Sequence, residues 1–436
     1  MNMREMKDTG ISWFPKIPVE WTTGRIKDIL SLLTDYTANG SFGDLAKNVT
    51  YLDYEDYARL VRLTDLRDNL KNMGVYVDEA GYNYLSKSSL FGGEILVANV
   101  GAYAGLFCEM PKVDYPTTLA PNMFLLRTNE VMLQHYLLYV GLSSFVWEQL
   151  CQKAISSAQP KLNKTDVKTT FIPIPPIEEQ KRISDYLDIK CSEFDSSISD
   201  IQHQIEVLEE YKRSVITEAV TKGLDPDVEM RDSGVQWIGD IPAHWLVEKV
   251  KFHLQRNEPR NPGDKQVLSV YREYGVIPKD SRDDNHNVTS EDTSNYKYVV
   301  PGNLVINKMK AWQGSMGVSE YEGIVSPAYF IYKFTDNQIM PKYLHYLFRS
   351  CYKDEFRRIS GGIREGQWDL SPYEFSNTLL LISPTDEQNR IVSYIDARIS
   401  EIEFAITEKK QQIETIEEYK KSLIFEYVTG KKEVQA

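Results

Sequence analysis

One phrase occurs twice in this chain. EEYKRSVITEAVTKG begins at Glu209 and EEYKKSLIFEYVTGK at Glu417. The likeness extends backwards, so that residues 178–221 align with 386–429 at a constant offset of 208, with 21 of 44 positions identical. Shared positions include Gln180/Gln388, Arg182/Arg390, Ile183/Ile391, Tyr186/Tyr394, Tyr211/Tyr419 and Lys212/Lys420. A second echo opens each half: MKDTGISWFPKIPVEW from Met6 matches MRDSGVQWIGDIPAHW from Met230 at 7 of 16 positions, at an offset of 224. Self-similarity at both ends of so long a segment marks a duplicated module, with a first middle 16 residues longer than the second. The middles agree only in outline: GGEILVANVG with PGNLVINKMK, LAPNMFLLR with VSPAYFIYK, HYLLYVGL with KYLHYLFRS.

The repeated segments read as long amphipathic helices. In the first, Ile183, Leu187, Cys191, Phe194, Ile198, Ile201, Ile205, Leu208, Tyr211, Val215 and Ala219 step by three and four, the spacing of a coiled-coil seam. The second repeats it with Ile391, Ile395, Ile399, Ile402, Ile406, Ile413, Ile416, Tyr419, Leu423 and Tyr427, interrupted at Lys409. PIPPIEEQ sets prolines before an acidic first turn, and SPTDEQ offers Thr385 with Gln388 three residues on, a capping-box pattern. Some forty residues of helix span about 60 Å, more than a compact domain of ~150 residues uses, so the two helices are expected to pack against each other. Between them, strand-like runs separated by Gly and Pro turns, with a helix near 131–152 and another near 340–358, predict an α+β globular domain in each half. Trp13, Trp21, Trp237 and Trp245 are expected to anchor the packing of the opening motif.

The net charge of −13 is unevenly spread. Residues 22–170 carry a net of −2 and 246–382 a net of +1, whereas 177–232 carry −8 and 386–436 carry −3. The acid thus belongs to the helical segments, and near-neutral domains are free to present a basic face to phosphate. No phosphate-binding G-x-x-x-x-G-K-[ST] loop, nucleophile elbow or amino-methyltransferase signature is present, so catalysis by this chain is not expected. Four scattered cysteines and six histidines without ligand spacing predict a reducing, cytoplasmic setting and no metal site. No run of 18 apolar residues exists for a membrane-spanning helix, and the N-terminus lacks the apolar region of a secretory signal.

Binding is the better match. In the first half, Gln159, Lys161, Asn163 and Lys164 fall in a short polar stretch, and the segment before it that parallels NKMKAWQG offers Asn99 and Tyr103. Their counterparts in the second are Lys308, Lys310, Trp312 and Gln313, then Arg357, Arg358, Arg364 and Gln367. Such side chains donate to phosphates and base edges.

With these pieces together, the chain resembles the specificity subunit of a type I restriction–modification enzyme. The resemblance rests on the IPxxW motifs at residues 17–21 and 241–245, PIPPIEEQKRI at 173–183, SPTDEQNRI at 383–391 and the twin EEYKxS helices. It implies an α+β fold in which two globular α/β target-recognition domains, 1–176 and 230–384, are separated by two conserved helical regions, 177–229 and 385–436. Those helices would form an antiparallel coiled coil in a pseudo-two-fold internal repeat. Each domain would read one half of a bipartite, asymmetric site in double-stranded DNA. Two methyltransferase subunits and restriction–translocase subunits are the implied partners; S-adenosylmethionine, ATP and magnesium belong to them, and this chain itself carries no cofactor. A duplicated coiled-coil adaptor that binds proteins or a surface ligand, with no nucleic acid, is the alternative.

Overall fold

The computed structural model describes residues 4–434 except 155–159, 273, 282–288, 290–291 and 363–367. The repeated segments are two long helices, Ile177–Lys222 and Thr385–Val428. The chain divides into two compact units: residues 1–201 with 411–436, and residues 202–410. Each unit therefore holds one diverged middle, the start of one long helix and the end of the other.

In the first unit a hairpin, Met6–Asp8 with Lys16–Pro18, leads to a strand Thr22–Arg25 that pairs with Phe171–Ile174 just before the long helix. An antiparallel sheet orders Leu30–Asp35, Met123–Thr128, Ile95–Ala98 and Phe107–Glu109. A second sheet orders Val75–Val77, Ala58–Val61, Thr117–Leu119 and Ser89–Leu90. The second unit repeats the hairpin as Met230–Asp232 with Asp240–Pro242, and the closing pair as Leu246–Lys249 with Leu379–Ile382. Its main sheet, Leu254–Arg256, Tyr329–Phe334, Leu304–Asn307 and Met316–Val318, has the same strand order as its counterpart. The strand-like runs read from the sequence are all strands here.

The identical positions make identical contacts. Trp21 is fully buried and its indole N–H donates to Glu179 at 2.7 Å; Trp245 donates to Glu387 at 3.1 Å. Buried Gln180 accepts the Leu133 N–H and donates to the carbonyls of Val131 and Pro175. Buried Gln388 accepts the Met340 N–H and donates to those of Gln338 and Ser383. One side chain thus satisfies three backbone groups, and a buried one left unpaired costs roughly 1–3 kcal/mol. Asp188 accepts from the Tyr139 hydroxyl at 2.5 Å, and Asp396 accepts from Tyr346 at the same distance. The end of each long helix closes the unit that the other helix begins. Leu423, Ile424, Tyr427 and Val428 complete the first core, and Ala219 and Val220 the second. Gly430 (φ +70°) and Gly223 (φ +74°) follow these ends in the left-handed region. A Cβ at Gly430 would lie 2.5 Å from Pro18, and one at Gly223 would lie 2.8 Å from Glu387.

Within each unit the helical segments pack antiparallel. In the first, Tyr186 meets Tyr427 with ring centroids 4.6 Å apart, Phe194 meets Tyr419 at 5.5 Å, and Lys420 reaches Asp195 at 2.6 Å. In the second, Lys212 reaches Glu403 at 2.7 Å and Lys409 donates to Gln204 at 2.5 Å. Lys409 therefore bridges the helices where its spacing reads as a break in the seam. Ile183, Leu187, Ile391, Ile395, Ile402 and Ile406 are buried, and Phe194, Ile198, Ile201, Ile205, Leu208, Ile399, Ile413 and Ile416 are half-buried.

Four expectations change in detail. Tyr211 and Tyr419 stand more than half exposed, at 51% and 53%, because at their level the pair is held by lysine–carboxylate contacts and one ring edge. Thr385 is the first helical residue, not a cap, and Gln388 bonds backbone outside its own helix, so no capping box forms. The helix near 131–152 is two, Gln134–Leu142 and Ser144–Ala154. Ser143 between them is extended, and its carbonyl accepts from Val146 and Trp147. The helix near 340–358 likewise splits into Pro341–Ser350 and Lys353–Arg358.

Candidate nucleic-acid interface

In the first unit, the chain after the strand Ile95–Ala98 turns back through residues 99–105, and the segment around Lys161 is laid along that turn. The Gly101 N–H donates to the Pro160 carbonyl at 2.9 Å, the Leu162 N–H to that of Asn99 at 2.8 Å, and Val100 bridges to Lys161. These stitches line one wall of an open cleft of about 800 Å³. Its lining brings together Asn99, Lys161, Asn163 and Lys164 with Asp35, Phe42 and Asp166.

Not all of these side chains face outward with donors to offer. The Asn163 oxygen accepts from the N–H groups of Thr165 and Asp166, and Asp166 accepts the Asn163 N–H in return. That reciprocal pattern caps the helix Lys164–Lys168 and commits Asn163 to its own turn. Lys164 is paired with Asp35 at 3.0 Å. Asn99 buries its side-chain oxygen without a protein partner. Lys161 is exposed. Tyr103 is exposed on the same turn, and the Arg67 guanidinium lies 4.2 Å from its ring centroid. Gln159 lies outside the described residues.

In the second unit the corresponding turn carries Lys308, Lys310, Trp312 and Gln313. Lys308 pairs with Asp369 at 3.2 Å, the Trp312 indole donates to the Met309 carbonyl, and Gln313 accepts from Arg272. Trp312 packs on Trp368 with ring centroids 5.5 Å apart. The helix Lys353–Arg358 packs on the turn Ala311–Gln313, which brings Arg357 and Arg358 to this face. Arg358 makes two hydrogen bonds, 2.7 and 2.8 Å, to the buried carboxylate of Glu355. Lys310 and Arg357 are exposed. Arg364 and Gln367 lie outside the described residues. Arg67, Arg272 and Trp368 are missing from the residues picked out by sequence. Arg67 sits in VRLTDLRDNL, a stretch with no polar-loop signature to single it out.

Each domain is also tied to its long helix by an ion pair. His135 lies between Glu109 and Asp188, 2.7 Å from each. The Glu109 hydrogen bond raises its pKa to about 9 against the opposing effect of burial, with Asp188 adding to the rise. The second unit has Lys342 on Asp396 at 2.8 Å in the same role. Among the described residues no group of three or more His, Cys, Asp or Glu is arranged to hold a metal ion, and no helix is long and apolar enough to cross a membrane.

Residues 18–209 match the family model described as type I restriction modification DNA specificity domain. A Methanocaldococcus jannaschii protein named as the type I restriction enzyme MjaX specificity subunit is 23% identical over 95% of this chain and 94% of its own length. The type I restriction enzyme EcoKI specificity subunit of Escherichia coli K12 is 21% identical over 87% of this chain and 82% of its own. A chain solved in work on complex assembly and conformational transition of the type I R-M system shares the fold, with a TM-score of 0.66 at 15% identity over 95% of this chain and 99% of that one. The matched domain runs from Pro18 of the first opening motif through the first middle and most of the first helix, and the second half repeats each of these parts. Over nearly its whole length the chain is similar to type I restriction–modification specificity subunits.

Proposed function

We propose that this chain acts by binding, not by catalysis, as the DNA sequence-recognition subunit of a type I restriction–modification complex, each target-recognition domain reading one half of a bipartite, asymmetric site. The observation that carries the reading is the contrast between frame and insert. Trp21/Trp245, Gln180/Gln388, Tyr139/Tyr346 and Asp188/Asp396 repeat contact for contact, while the outward turns share almost no side chains. A protein that offers one docking surface twice and reads two different sequences needs that division. On this reading residues 1–176 and 230–384 are the readers, and 177–229 and 385–436 are the spacer. The spacer is a pseudo-two-fold antiparallel coiled coil that docks two methyltransferase subunits and the restriction subunits. S-adenosylmethionine, ATP and magnesium act in those partners, in the cytoplasm.

The test is genome-wide methylation mapping in a strain expressing the chain with its methyltransferase partner. A bipartite motif that appears only when this chain is present is the expected outcome; no chain-dependent motif overturns the reading. A ruler test refines it. Inserting four residues in both long helices, after Ile201 and after Lys410, adds about 6 Å, close to two base steps of ~3.4 Å. The spacer of the motif should lengthen with both half-sites intact. Altered half-sites with an unchanged spacer would remove the ruler role.

A further inference from the structure

Three arginines gather around one loop of the first domain, and they are used differently. Asp65 is fully buried and accepts from the Arg62 guanidinium at 2.8 and 3.0 Å, from the Arg62 N–H and from Asn72. Burial works against ionisation of this carboxyl, but those donors outweigh it and hold its pKa below the ordinary value. Arg59, also buried, donates to the carbonyls of Leu70 and Asn72 and to the Asn72 side chain. Arg67, at the end of the helix Leu63–Arg67, is exposed, and no carboxylate or carbonyl among the described residues takes its N–H groups. What holds it is the Tyr103 ring.

The mounting is stiff. Asn69 and Leu70 both lie in the left-handed region, at φ 48° and 61°, a conformation that persists for such residues only where surroundings over-determine it. The Leu70 N–H to the Asp65 carbonyl, 2.8 Å, and the three Arg59 hydrogen bonds supply that determination. On the other side, Tyr103 belongs to the turn stitched to Lys161, so the stacked pair continues the rim of the cleft. At the corresponding turn of the second domain the aromatic is Trp312, and its partner is Trp368, tilted at 59°, which offers a ring where Arg67 offers a guanidinium.

A guanidinium stacked on an aromatic keeps its plane fixed and turns its edge donors outward. Guanine presents two acceptors in the major groove, O6 and N7, at the spacing that this edge matches. We propose that Arg67, held over the Tyr103 ring, reads a guanine by bidentate donation to O6 and N7 in the half-site of the first domain. The proposal rests on the DNA-reading function above and adds the residue and the base.

The experiment uses the chain in complex with its methyltransferase partner and duplexes carrying the motif found by methylation mapping. Each guanine of the first domain's half-site is replaced in turn by 7-deazaguanine, which lacks the N7 acceptor. One substitution should weaken binding by wild-type protein about 10-fold or more. Arg67→Ala should weaken binding to the unmodified duplex by about 10- to 100-fold, and the same deaza substitution should then cost nothing further. Arg67→Lys should not restore affinity, because an ammonium lacks the planar pair of donors. If no guanine of that half-site is sensitive in the wild type, the proposal falls, whatever the folding of the variants. It falls equally if Arg67→Ala weakens all duplexes alike and flattens the salt dependence, the mark of a phosphate contact. A wild-type chain that yields no motif at all defeats the DNA-reading function instead.

Discussion

At the base of each domain a buried tryptophan donates to the second glutamate or only glutamate of a helix's first turn, Trp21 to Glu179 and Trp245 to Glu387. At the outer turn of each domain, Tyr103 carries an arginine and Trp312 carries a second tryptophan. The first pair of sites repeats the same tryptophan–glutamate bond, with Arg4 beside Glu179 and His244 beside Glu387. The second pair is one position in the fold filled with different chemistry. The difference separates what the duplicated chain must keep, a way to hold each domain on the helices, from what it has been free to change.

If that separation is right, the frame sites should respond alike in both halves. Trp21→Ala and Trp245→Ala each empty a core position while Arg4 stays on Glu179 and His244 on Glu387, and each should cost about 3–5 kcal/mol, read by chemical denaturation. A large cost in one half and little in the other would break the equivalence. Gln180→Leu and Gln388→Leu leave three backbone partners unsatisfied apiece. They should be close in effect, about 2–3 kcal/mol each.

One frame position does differ, and it sharpens the comparison. The latch to the long helix uses His135 in the first half and Lys342 in the second. With its pKa raised from 6.5 to about 9, His135 contributes its full stabilisation below about pH 6.5 and loses it as pH rises through 9. The first domain should therefore loosen between those values while the Lys342 contact persists. Hydrogen exchange across the helix Gln134–Leu142 at pH 6.5 and 9 would show it, and His135→Lys should abolish the change. The smallest effect is expected at the readers' isolated lysines: Lys161→Ala and Lys310→Ala should each weaken DNA binding uniformly and lower the salt slope by about one.

The frame was legible in sequence because repetition reports it directly. A side chain that must satisfy three backbone groups, as Gln180 and Gln388 do, tolerates no substitute and so survives duplication in recognisable form. The proposed reading surface is less legible than the frame. Asn163, Lys164, Lys308 and Arg358 have donor chemistry suited to DNA, yet a cap or an ion pair engages each of them. Residue type states what a group can offer; a partner elsewhere in the chain decides whether it is offered. Arg67 shows the converse: no carboxylate among the described residues engages it, and the packing of one loop sets its guanidinium over the Tyr103 ring. Helix breaks at Ser143 and at residues 351–352 were hidden for a similar reason, because apolar periodicity continues across both.

The division into frame and reader is tested most directly by exchange. Residues 22–175 are replaced with the corresponding residues of a family member of different specificity, leaving both opening motifs and both long helices in place, and the methylated motif is mapped genome-wide. One half of the motif should change to that of the donor, with the other half and the spacer length retained. A change in both halves, or a changed spacer with the half-sites kept, would contradict it.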